Sequence, residues 1–217
     1  MKKRQFIPLG IILFIFLISF YYYPKLPNIM ATHWNSKGQV DGYSNKNTFT
    51  LLFLSFLIGL YLLFLVIPKI DPLAKNIKKF INYYYGFIVI FFLFMAYIYI
   101  IIILANLGYT ININYLIIPV FSVLFYYIGI MLSKAKRNWF IGIRTPWTLS
   151  SDRVWKKIHK LGSKLFKLYA LYLLVLLFSQ NVLINYFLYV FLVPILTISF
   201  GLAILSYFEY RKEKKKI

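Results

Sequence analysis

The chain lacks cysteine, so disulfides, thiolate metal sites and a cysteine nucleophile are all excluded. It is also poor in charge: Asp, Glu, Lys and Arg make up 14% of its 217 residues, against about 25% in a soluble domain. Histidine is nearly missing, with only His33 and His159. In the stretch around His33 the one carboxylate is Asp41, which falls short of the three or four ligands a zinc site takes. Around His159 stand Arg144 and Asp152, with no second carboxylate and no activated nucleophile. Acid–base catalysis by His159 therefore has no visible partner. The expectation is a chain with no metal, no cofactor and no catalytic residue.

What the chain has in excess is apolar. Hydrophobic residues reach 61% and mean hydropathy is +0.73. They arrive in blocks near residues 6–23, 48–68, 81–105, 114–133, 164–180 and 183–208. A helix rises about 1.5 Å per residue, and a bilayer core of about 30 Å selects runs of about 20 residues. The block at 164–180 is short and opens with Lys164 and Lys167, whose long stems can reach back to headgroups. Its link to the last block is Ser179, Gln180 and Asn181, which implies a tight antiparallel hairpin. Pro119 and Pro194 sit inside blocks. Proline removes a backbone donor, a loss that neighbouring helices can repair. The opening MKKR before an apolar run also resembles a secretory signal. Bulky Tyr21, Tyr22, Tyr23 and Pro24 fill the place of small cleavage-site residues, so an uncleaved first span is expected. The fold class that follows is all-α, a polytopic membrane bundle of about six transmembrane helices.

The formal charge of +20 could suggest nucleic acid, but the basic residues flank apolar blocks and form no stripe on a soluble domain. No direct nucleic-acid partner is expected. Instead the charges orient the bundle. With the N-terminus inside, the cytoplasmic pieces are Lys2 to Arg4, residues 69–80, residues 134–167 and residues 209–217, and they hold 22 of the 25 Lys and Arg. Lys25, Lys37 and Lys46 are left outside. The sequence thus places both termini in the cytoplasm of a multi-pass protein of the cell membrane.

Two connecting segments differ from everything around them. All four tryptophans and both histidines lie in residues 24–47 and 134–164, so groups that stack and hydrogen-bond are collected outside the spans. The external segment carries His33, Trp34, Asn35, Gly38, Asp41 and Lys46 as candidate ligand-binding residues. Its Asn35-Ser36-Lys37-Gly38 and Asp41-Gly42 supply turn chemistry, and a folded cap that gathers His33, Trp34, Asn35 and Asp41 is expected. The cytoplasmic segment first makes a compact turn with Asn138, Trp139, Gly142, Arg144, Thr145, Pro146 and Trp147. Ser150-Ser151-Asp152 then reads as a helix N-cap. Beyond it Trp155, Ile158, Gly162, Leu165 and Phe166 share one side, and Arg153, Lys157, Lys160 and Lys164 the other. This is an amphipathic interfacial helix running into the fifth span, with a basic face suited to anionic headgroups. His159 is four residues from Trp155, so the two rings can stack. The imidazole titrates near neutrality, which leaves open a pH-sensing or a structural role. Arg144 could bind phosphate, a carboxylate at a span end, or a partner protein.

At these two segments the chain resembles the SdpI family, named for an immunity factor against a secreted peptide toxin. HWNSKGQVDGYSNK at residues 33–46 is similar to an H-[FW]-N-x-x-G-x-x-D-x-[YW]-x-x-K element in a domain that often precedes the SdpI domain. NWFIGIRTPWTLSSDRVWKKIHKLG at residues 138–162 resembles the SdpI core, N-x-x-x-G-[IF]-R-T-[PK]-W-[TA]-L followed by W-x-x-x-H-x-x-G. One departure is Ile158, where threonine is common in the family. The division expected is an N-terminal two-span unit, residues 1–80, and an SdpI-like four-span unit, residues 81–217. The resemblance implies binding of an extracellular peptide toxin. It also implies signalling to a cytoplasmic transcriptional repressor, and Asn138, Gly142, Arg144, Thr145, Pro146, Trp147, Trp155, His159 and Gly162 are the candidate partner- or lipid-binding residues of the cytoplasmic loop. A transporter or an envelope-maintenance protein is the alternative, and a membrane enzyme the third reading. The blocks hold no Asp, Glu, Arg or His, except Glu209 at an edge, and show no inverted repeat, which disfavours an ion-coupled transporter.

Overall fold

The apolar blocks fold as helices in the computed structural model, which describes residues 2–215. Lys216, counted above with the basic C-terminal piece, lies outside the described residues. The long helices are α1 (Ile7–Tyr22), α2 (Lys46–Ile70), α4 (Ile81–Asn106), α5 (Ile113–Lys134), α7 (Asp152–Leu176) and α8 (Gln180–Lys214). Short α3 (Ala74–Lys78) and α6 (Pro146–Ser150) lie in the links. Among the described residues, five helices are long and apolar enough to cross a membrane. These are α1 with its flanking turns, α2, α4, α5 and the part of α8 from Asn185. The sixth expected span is α7. Its 25 residues have the length to cross, at about 1.5 Å each, but its first half is basic. The interfacial helix and the apolar block after it are therefore one unbroken helix, which is not among those five.

Two details differ from the sequence reading. The external segment contains strands β1 (Ile29–Trp34) and β2 (Val40–Asn45), an antiparallel hairpin, so the bundle carries a small β cap. Gln180 and Asn181, expected in the last link, instead open α8, because the amides of Val182 and Leu183 already bond to the Ser179 carbonyl.

The bundle is anchored by aromatic side chains that complete the backbone of neighbouring helices. Pro68, Pro119 and Pro194 lie inside α2, α5 and α8. Each proline leaves the carbonyl one turn earlier without its amide donor. The Tyr84 hydroxyl donates to the Phe64 carbonyl at 2.7 Å, four residues before Pro68. Tyr172 donates to the Val190 carbonyl at 3.2 Å, four before Pro194, and Tyr169 to the adjoining Phe191 carbonyl at 2.6 Å. Tyr97 donates to the Leu116 carbonyl of α5 at 2.9 Å, one residue past the Tyr115 carbonyl that Pro119 leaves without its amide. The one non-helical residue within α8 is Tyr186, upstream of Pro194, so the repaired proline is not where that helix breaks.

A first core joins α1, α2 and α4 through Ile15, Leu57, Phe92 and Tyr99 and extends to Met131 and Trp155. A second joins α5, α7 and α8 through Ile118, Tyr169, Leu173 and Leu183. Helices α5 and α7 approach closely through small residues, the usual device where lipid removes the hydrophobic drive. The Ser122 hydroxyl donates to the Ala170 carbonyl at 2.7 Å. A Cβ on Gly129 would stand 2.9 Å from the Ser163 carbonyl oxygen, so only glycine fits there. Among the described residues, Gln5 and Glu213 lie at the same end of the bundle. Gln5 accepts from Tyr61 of α2 and Tyr85 of α4, and Glu213 accepts from Ser151.

Candidate functional site

The two unusual segments cap opposite ends of the bundle. At one end the hairpin is tied to the helices by asparagines. Asn106, at the end of α4, donates to the Ala31 carbonyl at 2.9 Å and accepts from the Ala31 amide at 2.8 Å, as a neighbouring strand would. Asn114 of α5 donates to the Ser36 carbonyl at 2.7 Å. Asn35 makes the turn, its Oδ1 accepting from the amides of Lys37 and Gln39. Gly38 sits in the same turn at φ +75°. Side chains alternate across a strand pair. Met30 is fully buried toward the bundle, while Ile29, His33, Asp41 and Tyr43 are exposed. His33 Nδ1 meets Asp41 Oδ1 at 2.5 Å, Trp34 packs partly against the first core, and Lys46 Nζ donates to the Leu26 carbonyl at 3.3 Å. Thus Asn35, Gly38 and Lys46 shape the cap, and His33 with Asp41 faces out.

At the opposite, basic end, the segment between α5 and α7 is built around one histidine. His159 is 2% exposed and stacks on Trp155 at 3.9 Å between ring centroids. Its Nε2 accepts from the Ile143 amide at 3.1 Å, and its Nδ1 lies 2.9 Å from the Trp155 carbonyl oxygen. An amide can only donate, so Nε2 is unprotonated and the proton sits on Nδ1. Burial pushes the pKa down to about 4, with the Trp155 carbonyl acting in the other direction. His159 is therefore neutral near pH 7 and structural, not a sensor at that pH. Gly142, at φ +119°, lies over the ring, where a Cβ would come within 2.3 Å of Nε2. Gly142 thus meets both a backbone angle and a clearance that side chains forbid.

The rest of the turn is held in the same way. Asn138, fully buried, accepts from the amides of Phe140 and Ile141 and donates to the carbonyls of Lys136 and Ile141. Thr145 caps α6 and shares a capping box with Thr148, Pro146 occupies the first turn, and the Thr145 hydroxyl reaches Ser206 of α8 at 2.8 Å. Trp147 packs edge-on against Tyr207 of α8, Trp155 Nε1 donates to the Ala135 carbonyl at 3.0 Å, and Gly162 lies under Ile143. Arg144 donates to the Trp139 carbonyl at 2.7 Å. Ile158 joins Val154 and Leu202 in a small core, an apolar place for the residue that departs from the family pattern. Ser151 caps α7 by accepting from the Val154 amide.

This geometry can be set beside known proteins. A family model described as the SdpI/YfhL protein family matches residues 134–206, the whole of the loop just described with α7 and most of α8. The loop, α7 and most of α8 thus resemble that family. A second model, a domain of unknown function (DUF1648), matches residues 10–59, which cover most of α1, the hairpin and the first half of α2. Immunity protein SdpI of Bacillus subtilis (strain 168) is 25% identical over 213 residues, covering 98% of this chain and 97% of that protein. No solved structure matches. With this likeness and its five long apolar helices, the chain is a multi-pass membrane protein.

Several residues that hold this SdpI-type loop escaped the sequence reading. Asp71, 3% exposed, accepts from the Trp139 amide at 2.9 Å and the Leu73 amide at 2.6 Å. Asn76 donates to the Arg137 carbonyl at 2.8 Å. Together they clamp the α2–α4 link onto the loop. The available signal was a lone acid and an asparagine directly after an apolar block, in a chain with five acids in all. Lys157, read as part of a free basic face, pairs instead with Glu209 of α8 at 2.6 Å.

Proposed function

We propose that this SdpI-like protein confers immunity at the cell membrane by binding an extracellular peptide toxin with its hairpin cap. The observation that carries the reading is the likeness to Immunity protein SdpI over 98% of the chain. Both termini lie in the cytoplasm in this reading, because the ends of the chain share the face where Lys and Arg gather. The outward hairpin face, Ile29, His33, Asp41 and Tyr43, offers apolar, aromatic and charged contacts to a peptide. At the other end Trp139 is 52% exposed and its carbonyl is held by Arg144. Together with Phe140 it forms an aromatic surface for a cytoplasmic repressor. The role is binding and relay, not catalysis.

The test is protection. The chain is expressed in Bacillus subtilis from which SdpI has been removed, and growth is measured against the secreted peptide toxin. Protection well above an empty vector is expected, and His33→Ala with Tyr43→Ala should reduce it without lowering the amount of protein in the membrane. Growth no better than the empty vector would end the immunity reading. Orientation is checked separately, since the native chain has no cysteine. A cysteine placed at Ser150 should resist a membrane-impermeant thiol reagent in intact cells.

A further inference from the structure

The basic end contains a cleft of about 740 Å³ between the end of α5, the α2–α4 link and one face of α7. Six lysines line it: Lys79, Lys136, Lys156, Lys160, Lys164 and Lys167. The five acids of the chain do not neutralise them. Asp41 is at the hairpin end with His33, and Asp71 is buried against two backbone amides. Glu209 takes Lys157 and Lys212, and Glu213 accepts from Ser151. Asp152 does reach the cleft, but it pairs with Arg137 at 2.9 Å. Six like charges around one concave surface repel one another, and a multivalent anion would relieve that repulsion.

The position of the cleft selects the anion. Lys156, Lys160 and Lys164 follow one another at single-turn spacing, and Lys167 continues the line to a point about 16 Å along the helix from Lys156. Immediately beyond it Leu168, Leu171 and Val175 are exposed, so the bilayer-facing surface of α7 begins where the lysine row ends. Leu132 and Trp155 give the wall an apolar part. A ligand that fills this cleft is anionic at its outer end and meets the bilayer at its inner end.

We propose that the cleft is a binding site for the phosphate headgroup of an anionic phospholipid in the leaflet at the basic end. The phosphate sits among Lys156, Lys160 and Lys164, and the acyl chains leave along the apolar surface of α7. A site of this kind holds a defined lipid, in contrast to a basic face that attracts the whole leaflet. It does not depend on the immunity reading.

The test is native mass spectrometry of the full chain, purified in detergent and offered phosphatidylglycerol, phosphatidylcholine or inorganic phosphate. Retention of phosphatidylglycerol over phosphatidylcholine is expected. Each lysine contributes roughly fivefold near a charged surface, so Lys156→Gln/Lys160→Gln/Lys164→Gln should weaken retention by about a hundredfold. The Lys→Arg triple variant should keep it. Removing equal charge at the end of α8, with Lys212→Gln/Lys214→Gln/Lys215→Gln, should leave it unchanged. Helicity by circular dichroism shows that each variant is folded. Equal loss in the cleft and tail variants would mean diffuse surface charge and overturn the site. So would no preference for phosphatidylglycerol, or its displacement by millimolar inorganic phosphate.

Discussion

Replacing Tyr84 by phenylalanine removes one hydroxyl and leaves the ring in place. Tyr84 is 1% exposed, so water does not replace the lost donor. The Phe64 carbonyl that it serves has no amide partner one turn on, because Pro68 stands there. Leaving a buried acceptor unmade costs about 1–3 kcal/mol, while hydrogen bonds within membrane bundles average nearer 0.6 kcal/mol. A loss of about 1–2 kcal/mol follows for Tyr84→Phe. The cause is separable from mere loss of packing. Pro68→Ala restores an amide that can take the Phe64 carbonyl, so Tyr84→Phe should cost about 1 kcal/mol less in that background. The assay is a double-mutant cycle of unfolding in mixed micelles, titrated with sodium dodecyl sulfate. Strictly additive costs would refute the argument that the tyrosine repairs the proline.

Three further outcomes follow. The pKa of His159 falls from 6.5 to about 4 on folding. Its contribution is therefore fully present above pH 6.5 and lost as pH drops through the window down to about 4, roughly 3 kcal/mol in all. Unfolding titrations at pH 7 and pH 4 measure it, and His159→Gln should flatten that slope. Gly142→Ala forces a side chain into a left-handed backbone and against the imidazole, costing about 2–4 kcal/mol. The stacked Trp155 should then lose its native fluorescence. Asn106→Ala removes both bonds to Ala31 and should weaken the cap by about 1–2 kcal/mol, seen as faster amide exchange at Ala31 while the helices stay protected.

The spans were legible because a bilayer demands apolar runs of fixed length, and blocks such as 81–105 have no other use. The stacking of Trp155 and His159 was legible too, since it depends only on spacing along one helix. What joins distant residues was not. Nothing local announces that the Ile143 amide donates a hydrogen bond to His159 Nε2, or that Glu209 claims Lys157 across 52 residues. The hairpin escaped because IMATHW and VDGYSN are half polar and short. Their pairing is specified by the Asn35 turn and by docking on Asn106 and Asn114. The proline positions could be read, but the phenols that answer them lie on other helices.

The phenols that bond to the backbone of neighbouring helices also set an order of assembly. The phenols that serve α2 and α5 both belong to α4, and those that serve α8 belong to α7. When α5 and α8 emerge from synthesis, their donors have already been made. Helix α2 comes before its donor and must wait with an open carbonyl. Helix α4 is thus a shared splint for the spans before and after it, and a chain interrupted before Tyr84 would leave α2 marked as unfinished.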